Sequence, residues 1–291
     1  MALACALANA TSDALLKRSL RPGNERLLAW ARLGFALPLL YLACAVAPPW
    51  GAAGPAAALA ALPRPFFVAI ALGLPLEVAA VLLYTRALRR SPLGLTIPFL
   101  SLTPVFLLAA APFTPGGRLT GGGIAGVALV AAGGYLLNAG RLREGWLAPV
   151  RAIGREPGSR LMILVALIYA ATSTCGKVAI AASSPLLFAA VYFTALFLLF
   201  APLAAAEARG AGWTAARAAL LPGLLYGLMI LSHVASLALA NVAYMIAVKR
   251  SSLLFAILYG RLLYGERGLA GRLAGGAAMV AGIALIAGVS P

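Results

Sequence analysis

The sequence predicts an all-α membrane protein with ten transmembrane helices arranged as two inverted five-helix repeats. Three observations favour this fold class: the composition, the spacing of apolar segments and a repeated order of motifs. Hydrophobic residues make up 63% of the 291 residues and charged residues only 10%, a balance far from that of soluble domains. A transmembrane helix needs about 20 mostly apolar residues, so most of this chain can lie in a bilayer.

Ten apolar windows of this length follow one another along the chain. Those of the first half lie at 2–19, 27–46, 66–86, 92–113 and 120–139, and those of the second at 160–182, 184–204, 218–240, 243–264 and 269–288. The first window has no basic residues before it and is interrupted by Asp13. It therefore indicates a helix rather than a cleavable signal. Little sequence remains for a soluble domain.

Short motifs recur at corresponding places in the two halves. Thr11-Ser12 precede Lys17, and Thr172-Ser173 precede Lys177, at an offset of 160 or 161 residues. A second match, at an offset of 149 residues, relates Pro104-Val105-Phe106, Gly116 and Arg118 to Leu253-Leu254-Phe255, Gly265 and Arg267. The two offsets agree because the connection after the second window is longer in the first half.

Five helices per repeat is an odd number, so the two repeats must have opposite orientations. Inverted repeats are typical of secondary transporters, whose substrate site lies near the midplane between them. We divide the chain into a first repeat at 1–139, a connecting segment at 140–159 and a second repeat at 160–291. The connecting segment is predicted to form an amphipathic helix on the membrane surface, with an apolar face made of Trp146, Leu147, Val150 and Ile153.

The net charge of +16 is distributed unevenly between the two membrane sides. The connections after the first, third, fifth, seventh and ninth windows, with the window ends that flank them, carry sixteen Lys and Arg residues, whereas the opposite side carries only Arg64 and Arg118. By the positive-inside rule the basic side is cytoplasmic. This predicts a multi-pass protein of the cell (inner) membrane with both termini outside. The charge thus indicates orientation, and no nucleic-acid partner is expected.

Catalysis, metals and cofactors are not indicated by the sequence. Cys5, Cys44 and Cys175 all fall in apolar windows without a CxxC pattern, so they are interpreted as small packing residues. The sequence has no paired carboxylate set and no HExxH, GxSxG or Walker motif. We therefore predict no enzyme activity, no metal site and no cofactor.

Cations inside the apolar windows are the strongest functional signal, because a charge at membrane depth costs several kcal/mol unless it faces a polar cavity or a partner. Lys177 and Lys249 are both predicted at a depth of roughly 8–9 Å from one membrane side, with Arg250 beside them. We expect the three to face a shared aqueous cavity and to bind an anion that relieves their mutual repulsion. The alternative is pairing with backbone carbonyls or extension to the membrane surface. Tyr244 is a further candidate for the cavity wall.

Acidic residues and the single histidine provide further candidates. Glu77 lies near the middle of its window, where a carboxylate must be protonated or pair with a cation such as Arg32. Asp13 lies one helical turn before Lys17, a spacing that predicts an ion pair within the helix. Glu77, Asp13 and Arg32 are candidates for coupling or gating. His233 either forms hydrogen bonds in helix packing or titrates during transport, and it is also a candidate for substrate binding.

Two GxxxG pairs, Gly122/Gly126 and Gly271/Gly275, occupy equivalent windows of the two halves. Such pairs permit close approach of helices. We interpret them as packing sites of scaffold helices, with dimerisation as the alternative. The sequence is compatible with a monomer or a homodimer.

The second half resembles a known family of transporters. Ala243-Tyr244, Val248 to Ser251, Leu254-Phe255, Gly260 and Gly265-Glu266-Arg267 resemble the last two spans of EamA-type members of the drug/metabolite transporter superfamily. The first half looks similar through Thr103-Pro104-Val105-Phe106 and Arg32, so the resemblance covers nearly the whole chain. It departs from the family pattern at Gly116-Gly117-Arg118, which lacks the acidic residue. The resemblance implies ten helices, transport without a cofactor and termini in the cytoplasm, which is opposite to the charge asymmetry. Val248-Lys249-Arg250 is also similar to sugar-phosphate antiporters, in which a Lys-Arg pair binds phosphate.

Together these observations predict a secondary transporter that moves a small anionic or zwitterionic metabolite by alternating access. Export or exchange is implied by the resemblance alone, and coupling to protons remains open. The alternative is a flippase for a phospholipid or polyprenyl-phosphate-linked head group, in which the same cations would bind the head group. A scaffold without transport activity does not explain the cations at membrane depth.

Overall fold

The computed structural model describes residues 1–91, 97–116, 118–136, 157–211, 213–265 and 273–289. Within these ranges the chain forms helices and connections, with no strand. The helices of the first half are α1 (Ala2–Ser19), α2 (Glu25–Val46), α3 (Gly54–Ala60), α4 (Arg64–Arg90), α5 (Thr103–Ala110) and α6 (Gly121–Leu136). Those of the second half are α7 (Pro157–Ala181), α8 (Pro185–Ala211), α9 (Leu220–Leu239), α10 (Val242–Lys249), α11 (Ser252–Tyr264) and α12 (Leu273–Val289).

The prediction of an all-α membrane protein is confirmed for the described residues. Six helical segments are long and apolar enough to cross a bilayer, namely Glu25–Val46, Arg64–Arg90, Pro157–Ala181, Pro185–Arg209, Thr214–Leu239 and Val242–Leu263. The other four predicted windows contain helices that are shorter or, in α1, interrupted by charged residues. The count of ten crossing helices therefore stays a prediction. The connecting segment at 140–159 lies outside the described residues, apart from the first residues of α7.

Helix α3 is an addition to the predicted elements, because its residues were assigned to a connection. It contains four alanines, which are the strongest helix formers, and begins with Gly54-Pro55. Pro55 lies in the first turn, where its missing N–H would have no helical partner. All of its residues remain exposed or half-buried. Local propensity, rather than core packing, therefore accounts for this helix.

Two of the predicted windows are interrupted. In the first half, a 3₁₀ segment at Ile97–Leu102 precedes α5, which has Pro104 in its first turn. In the second half, α10 ends at Lys249 and α11 begins at Ser252. The two restarting positions, Thr103 and Ser252, differ by 149 residues, the same offset that relates the sequence motifs. The interruptions are therefore at equivalent places.

Helices from different halves make the most extensive packing contacts. These pairs are α6 with α12, α4 with α7, α1 with α9, and α2 with both α8 and α9. Trp30 of α2 stacks on Phe197 of α8 with ring centroids 4.6 Å apart, and its indole N–H donates to the Phe197 carbonyl. The halves thus share one core, and large apolar side chains such as Leu42, Phe113 and Leu198 remain exposed on the outside. An apolar exterior is what a bilayer requires.

Glycines allow α6 and α12 to approach closely. A Cβ added to Gly126 would lie 2.8 Å from the Gly282 carbonyl oxygen, and one added to Gly133 would lie 2.6 Å from that of Gly275. Gly126 and Gly275 belong to the two predicted GxxxG pairs, whereas Gly271 lies outside the described residues. Both pairs thus contribute at least one glycine to a contact within the chain, as the packing interpretation expects.

Candidate functional site

A central cavity of about 120 Å³ lies between helices of both halves. Its walls come from α1, α2 and α4 of the first half and from α7 to α10 of the second. The titratable side chains on its surface, apart from tyrosines, are Asp13, Arg32, Glu77, His233, Lys249 and Arg250. Six of the eight predicted site residues therefore meet at one place, and the remaining two, Lys177 and Tyr244, do not reach it.

Asp13 and Arg32 form a buried ion pair on one wall of this cavity. Nη1 of Arg32 lies 2.8 Å from Oδ1 of Asp13. The Tyr84 hydroxyl donates to Oδ2 of the same carboxylate at 2.5 Å, and Nδ2 of Asn9 donates to it at 3.1 Å. The guanidinium carbon of Arg32 lies 4.0 Å from the centre of the Tyr226 ring. These contacts connect α1, α2, α4 and α9, and they compensate both charges.

The ion pair predicted between Asp13 and Lys17 is wrong. Asp13 turns toward α2, where Arg32 can form a shorter and more buried contact than a neighbour on the same helix. Nζ of Lys17 instead donates to the carbonyl oxygen of Ser91 at 2.9 Å. Ser91 is the C-cap residue of α4, where the last carbonyls lack helical partners and attract cations.

Glu77 faces the cavity from α4, and of its two predicted alternatives, protonation or an ion pair with a cation such as Arg32, the pair with Arg32 is not found. Arg32 is engaged by Asp13, whereas the Glu77 carboxyl interacts with the hydroxyl of Thr172 on α7. Lys249 acts on Glu77 electrostatically without forming an ion pair within 4.0 Å. Among the described residues Glu77 is thus an acidic group of the cavity that has no basic partner in direct contact.

Lys249 and Arg250 lie together at the break between α10 and α11. Nζ of Lys249 is 3.4 Å from Nδ1 of His233, so the two side chains share one region of the cavity. Arg250 is only 5% exposed, and its Nη2 donates to Oγ1 of Thr103 at 2.7 Å. Its Nε has no hydrogen-bond partner in the described part of the chain. The break in the helix brings both cations to the cavity wall.

Lys177 does not share this cavity, contrary to the expected arrangement of three cations. Its Nζ donates to the carbonyl oxygens of Leu237, Ala238 and Ala240 at 2.7, 3.2 and 2.8 Å. Gly176, the residue before Lys177, lines the central cavity. The Lys177 side chain leaves the helix in a different direction and therefore reaches the end of α9. Lys177 therefore has the alternative environment of backbone carbonyls.

Lys17 and Lys177 make equivalent contacts in the two halves. Lys17 on α1 binds the carbonyl of Ser91, the C-cap residue of α4, and Lys177 on α7 binds that of Ala240, the C-cap residue of α9. In each half, the lysine of the repeated motif thus caps the third long helix. The recurring motif was the sequence signal for this role.

A second and larger cavity, of about 1030 Å³, adjoins the central one. Tyr244 lines it, and the Tyr244 hydroxyl accepts a hydrogen bond from the backbone N–H of Thr120 at 2.8 Å. The residues that line the two cavities are neighbours in the chain at three places. In each of three pairs of residues, which are adjacent or two apart in sequence, the first lines the central cavity and the second lines the second cavity. The pairs are Gly176 and Lys177, Leu237 and Ala238, and Ile246 and Tyr244.

Four tyrosines of the central cavity were absent from the predicted site. They are Tyr84, Tyr169, Tyr192 and Tyr226. A helical pattern could have revealed three of them, since positions seven apart lie on one face. Tyr84 follows Glu77 by seven residues, Tyr226 precedes His233 by seven, and Tyr169 begins a polar stripe with Thr172, Ser173 and Gly176. Tyr192 has no comparable signal.

Comparisons with known proteins support the resemblance found in the sequence. Residues 157–288 match the EamA-like transporter family, which confirms the resemblance for the second half. No curated protein matched the chain. The crystal structure of another protein superposes with a TM-score of 0.68 at 17% identity, covering 99% of this chain and 96% of that one. At this identity the likeness concerns the fold alone, and it extends over both halves.

The match covers residues 157–288 alone, so it shows that the second half is similar to a family of transporters. The long apolar helices indicate a multi-pass membrane protein.

Proposed function

Starting from the EamA-like second half, we propose that this chain is a secondary transporter for a small anionic or zwitterionic metabolite. In this proposal ten helices form two inverted repeats, at 1–139 and 160–291, which move about the central cavity by alternating access. The observation that carries the proposal is the cavity itself. It lies between helices of both halves and contains charges of both signs. Its volume, small beside the several hundred Å³ of sites for drug-sized ligands, favours a small substrate.

The pairing of helices supports the two inverted repeats. In the two repeats, α1, α2 and α4 correspond to α7, α8 and α9. The contact between α1 and α9 should therefore have a counterpart between α7 and α4, and the contact between α2 and α9 should have one between α8 and α4. All four contacts occur. The equivalent lysine caps and the equivalent helix breaks point the same way. Chance similarity of apolar helices would not produce agreement in contacts as well as in sequence.

Contacts between the two cavities support alternating access. Lys177 holds the end of α9 through three hydrogen bonds, and Tyr244 holds the chain before α6 through Thr120. These contacts close the central cavity toward the second one. We interpret the second cavity as the vestibule on one membrane side and these contacts as a closed gate, which assigns Lys177 and Tyr244 to gating.

Substrate binding is assigned to Lys249 and Arg250, with His233 beside them. Arginine can engage two oxygens of a carboxylate or phosphate, and lysine adds a point charge. Asp13 and Arg32 are assigned to coupling or gating, because their ion pair connects helices of both halves through Tyr226. Transport by export or exchange, without a cofactor, follows the family resemblance.

The first experiment is a thermal-shift screen of the purified protein against phosphorylated metabolites, amino acids, organic cations and lipid head groups. A compound that binds only the folded state raises the melting temperature by mass action. We expect an anion or zwitterion to stabilise the wild type and to lose this effect in Lys249→Ala. The control is Arg64→Ala, which removes an exposed arginine at the start of α4 and should leave the shift unchanged.

Two results of this screen would contradict the proposal. Stabilisation by cations alone, equal in wild type and Lys249→Ala, would remove Lys249 from the substrate site. Stabilisation by phospholipid or polyprenyl-phosphate head groups alone would instead assign the protein to lipid flipping.

The membrane orientation is a separate part of the proposal. The charge asymmetry places both termini outside the cell membrane. A cysteine introduced at Pro291 in a variant without the three native cysteines should react with an impermeant maleimide from outside intact cells. Labelling only after the membrane is opened would overturn this orientation.

A further inference from the structure

Three charged side chains of the central cavity lack an oppositely charged partner. Asp13 and Arg32 compensate each other, which leaves Glu77, Lys249 and Arg250. None of the ion pairs found in the described ranges, at a limit of 4.0 Å, includes these three residues. Unpaired charges at membrane depth are costly. The cavity therefore has one acidic group and two basic groups without an oppositely charged partner in contact.

These opposite charges face the same space from different helices. Glu77 projects from α4 and interacts with Thr172 of α7, whereas Lys249 comes from the end of α10. Lys249 and Glu77 are near enough to act on each other, but they are not in contact. The gap between them is open to a ligand that carries both a positive and a negative group.

Tyrosine rings share the cavity with Glu77. Tyr169, Tyr192 and Tyr226 all line it. The Tyr192 hydroxyl lies 3.3 Å from the position that a Cβ on Gly73 would take, one helical turn before Glu77. Its ring is held by stacking on Phe188 at 5.1 Å.

Aromatic faces attract organic cations, especially where water is excluded. One of these rings already has a cation, since Arg32 covers Tyr226. Tyr169 and Tyr192 are not covered by a cation in the described residues, so they can contact an ammonium group bound to Glu77. An acidic group flanked by two such rings is suited to an amine rather than to a metal ion, which takes oxygen ligands in larger number.

Ligand charge determines which of these groups is compensated. A simple anion would compensate Lys249 and Arg250 and leave Glu77 without a partner. A simple cation would leave both basic residues unpaired. A molecule with an ammonium group and a carboxylate or phosphate compensates all three, and therefore gains more from binding.

We propose that Glu77 is the ammonium-recognition residue of the transporter and that its substrate is a small amine carrying a carboxylate or phosphate. The ammonium group lies between the Glu77 carboxylate, the Thr172 hydroxyl and the rings of Tyr169 and Tyr192. The carboxylate or phosphate lies on Lys249 and Arg250. This inference rests on the proposed function and narrows its substrate class, making Glu77 a specificity-determining residue.

The test uses two pairs of probes that differ only in the amine. 3-Aminopropyl phosphate is compared with propyl phosphate, and β-alanine with propionate, by calorimetric binding to the purified full-length protein. We expect the amine of at least one pair to bind at least tenfold more tightly than its counterpart. In Glu77→Gln, which keeps the shape of the side chain, that ratio should fall to about one while binding of the counterpart changes less than twofold.

Two further variants separate the possible failures. Glu77→Asp keeps the charge and should retain part of the preference, whereas Lys249→Ala should weaken both members of each pair. Equal binding of amine and counterpart by the wild type, or an equal loss of both in Glu77→Gln, would overturn the role of Glu77. Loss of both probes in Lys249→Ala would in that case still support the proposed function. Failure of all four probes to bind the wild type would contradict both.

Discussion

Arg250 donates a hydrogen bond of 2.7 Å to Thr103, and this contact joins the two interrupted helical segments of the chain. Arg250 lies at the break between α10 and α11, and Thr103 is the first residue of α5. Both residues are at most 5% exposed. The bond therefore fixes a cavity-lining cation of the second half against the equivalent break of the first half.

Replacing Thr103 by valine tests this link, because valine keeps the side-chain shape and removes the acceptor. A hydrogen bond to a charged group contributes about 1.5–3 kcal/mol, so we expect a comparable loss in the free energy of unfolding. Chemical unfolding in detergent measures it. Thr174→Val is the matched control, since the Thr174 hydroxyl bonds only to Ala170 of its own helix in the described contacts. An equal effect of both substitutions would argue against a special role of the Arg250 contact.

The Asp13–Arg32 pair predicts a larger effect. Removing one partner of a buried ion pair leaves an uncompensated charge and typically costs 3–5 kcal/mol. We therefore expect Asp13→Asn to lower the free energy of unfolding by about that amount, and Arg32→Met to do the same. The double variant should lose less than the sum of the two, which a double-mutant cycle measures. Additive losses would mean that the two charges do not stabilise each other.

The sequence was sufficient to locate the helices, but it did not identify the residues that the charged side chains contact. Apolar windows and repeated motifs reflect local composition, so they locate helices such as α1 and α4 within a few residues. The partner of Asp13 depends on which helix packs beside α1, and the nearest cation in sequence, Lys17, was the wrong choice. Lys177 illustrates the same limit. It was predicted to share a cavity with the other two cations, but its position one residue after Gly176 directs its side chain to the second cavity.

The contact between α6 and α12 predicts a contrast between two glycines of one helix. A Cβ at Gly282 would lie 2.7 Å from the Gly126 carbonyl oxygen, whereas a Cβ at Gly288 would meet nothing within 4 Å. Gly282→Ala should therefore cost about 1–3 kcal/mol through overpacking. Gly288→Ala should be neutral or slightly stabilising, because alanine favours helix. Melting temperatures of the two variants provide the comparison, and similar values would contradict the close approach of these helices.

The gate that we propose between the two cavities predicts a change in accessibility without a loss of fold. Tyr244→Phe removes the hydroxyl that accepts the hydrogen bond from Thr120 and keeps the ring that covers Gly123. Because one neutral hydrogen bond contributes about 0.5–1.5 kcal/mol, the open state should become about two- to tenfold more populated.

The measurement is the labelling rate of a cysteine at Thr172, in a variant without native cysteines, by a small impermeant thiol reagent. We expect this rate to rise by the same factor, with a melting temperature within a few degrees of the parent. Tyr259→Phe is the control, since the Tyr259 hydroxyl bonds Thr11 away from this gate. A labelling rate that is unchanged in Tyr244→Phe, or raised equally in Tyr259→Phe, would remove Tyr244 from the gate.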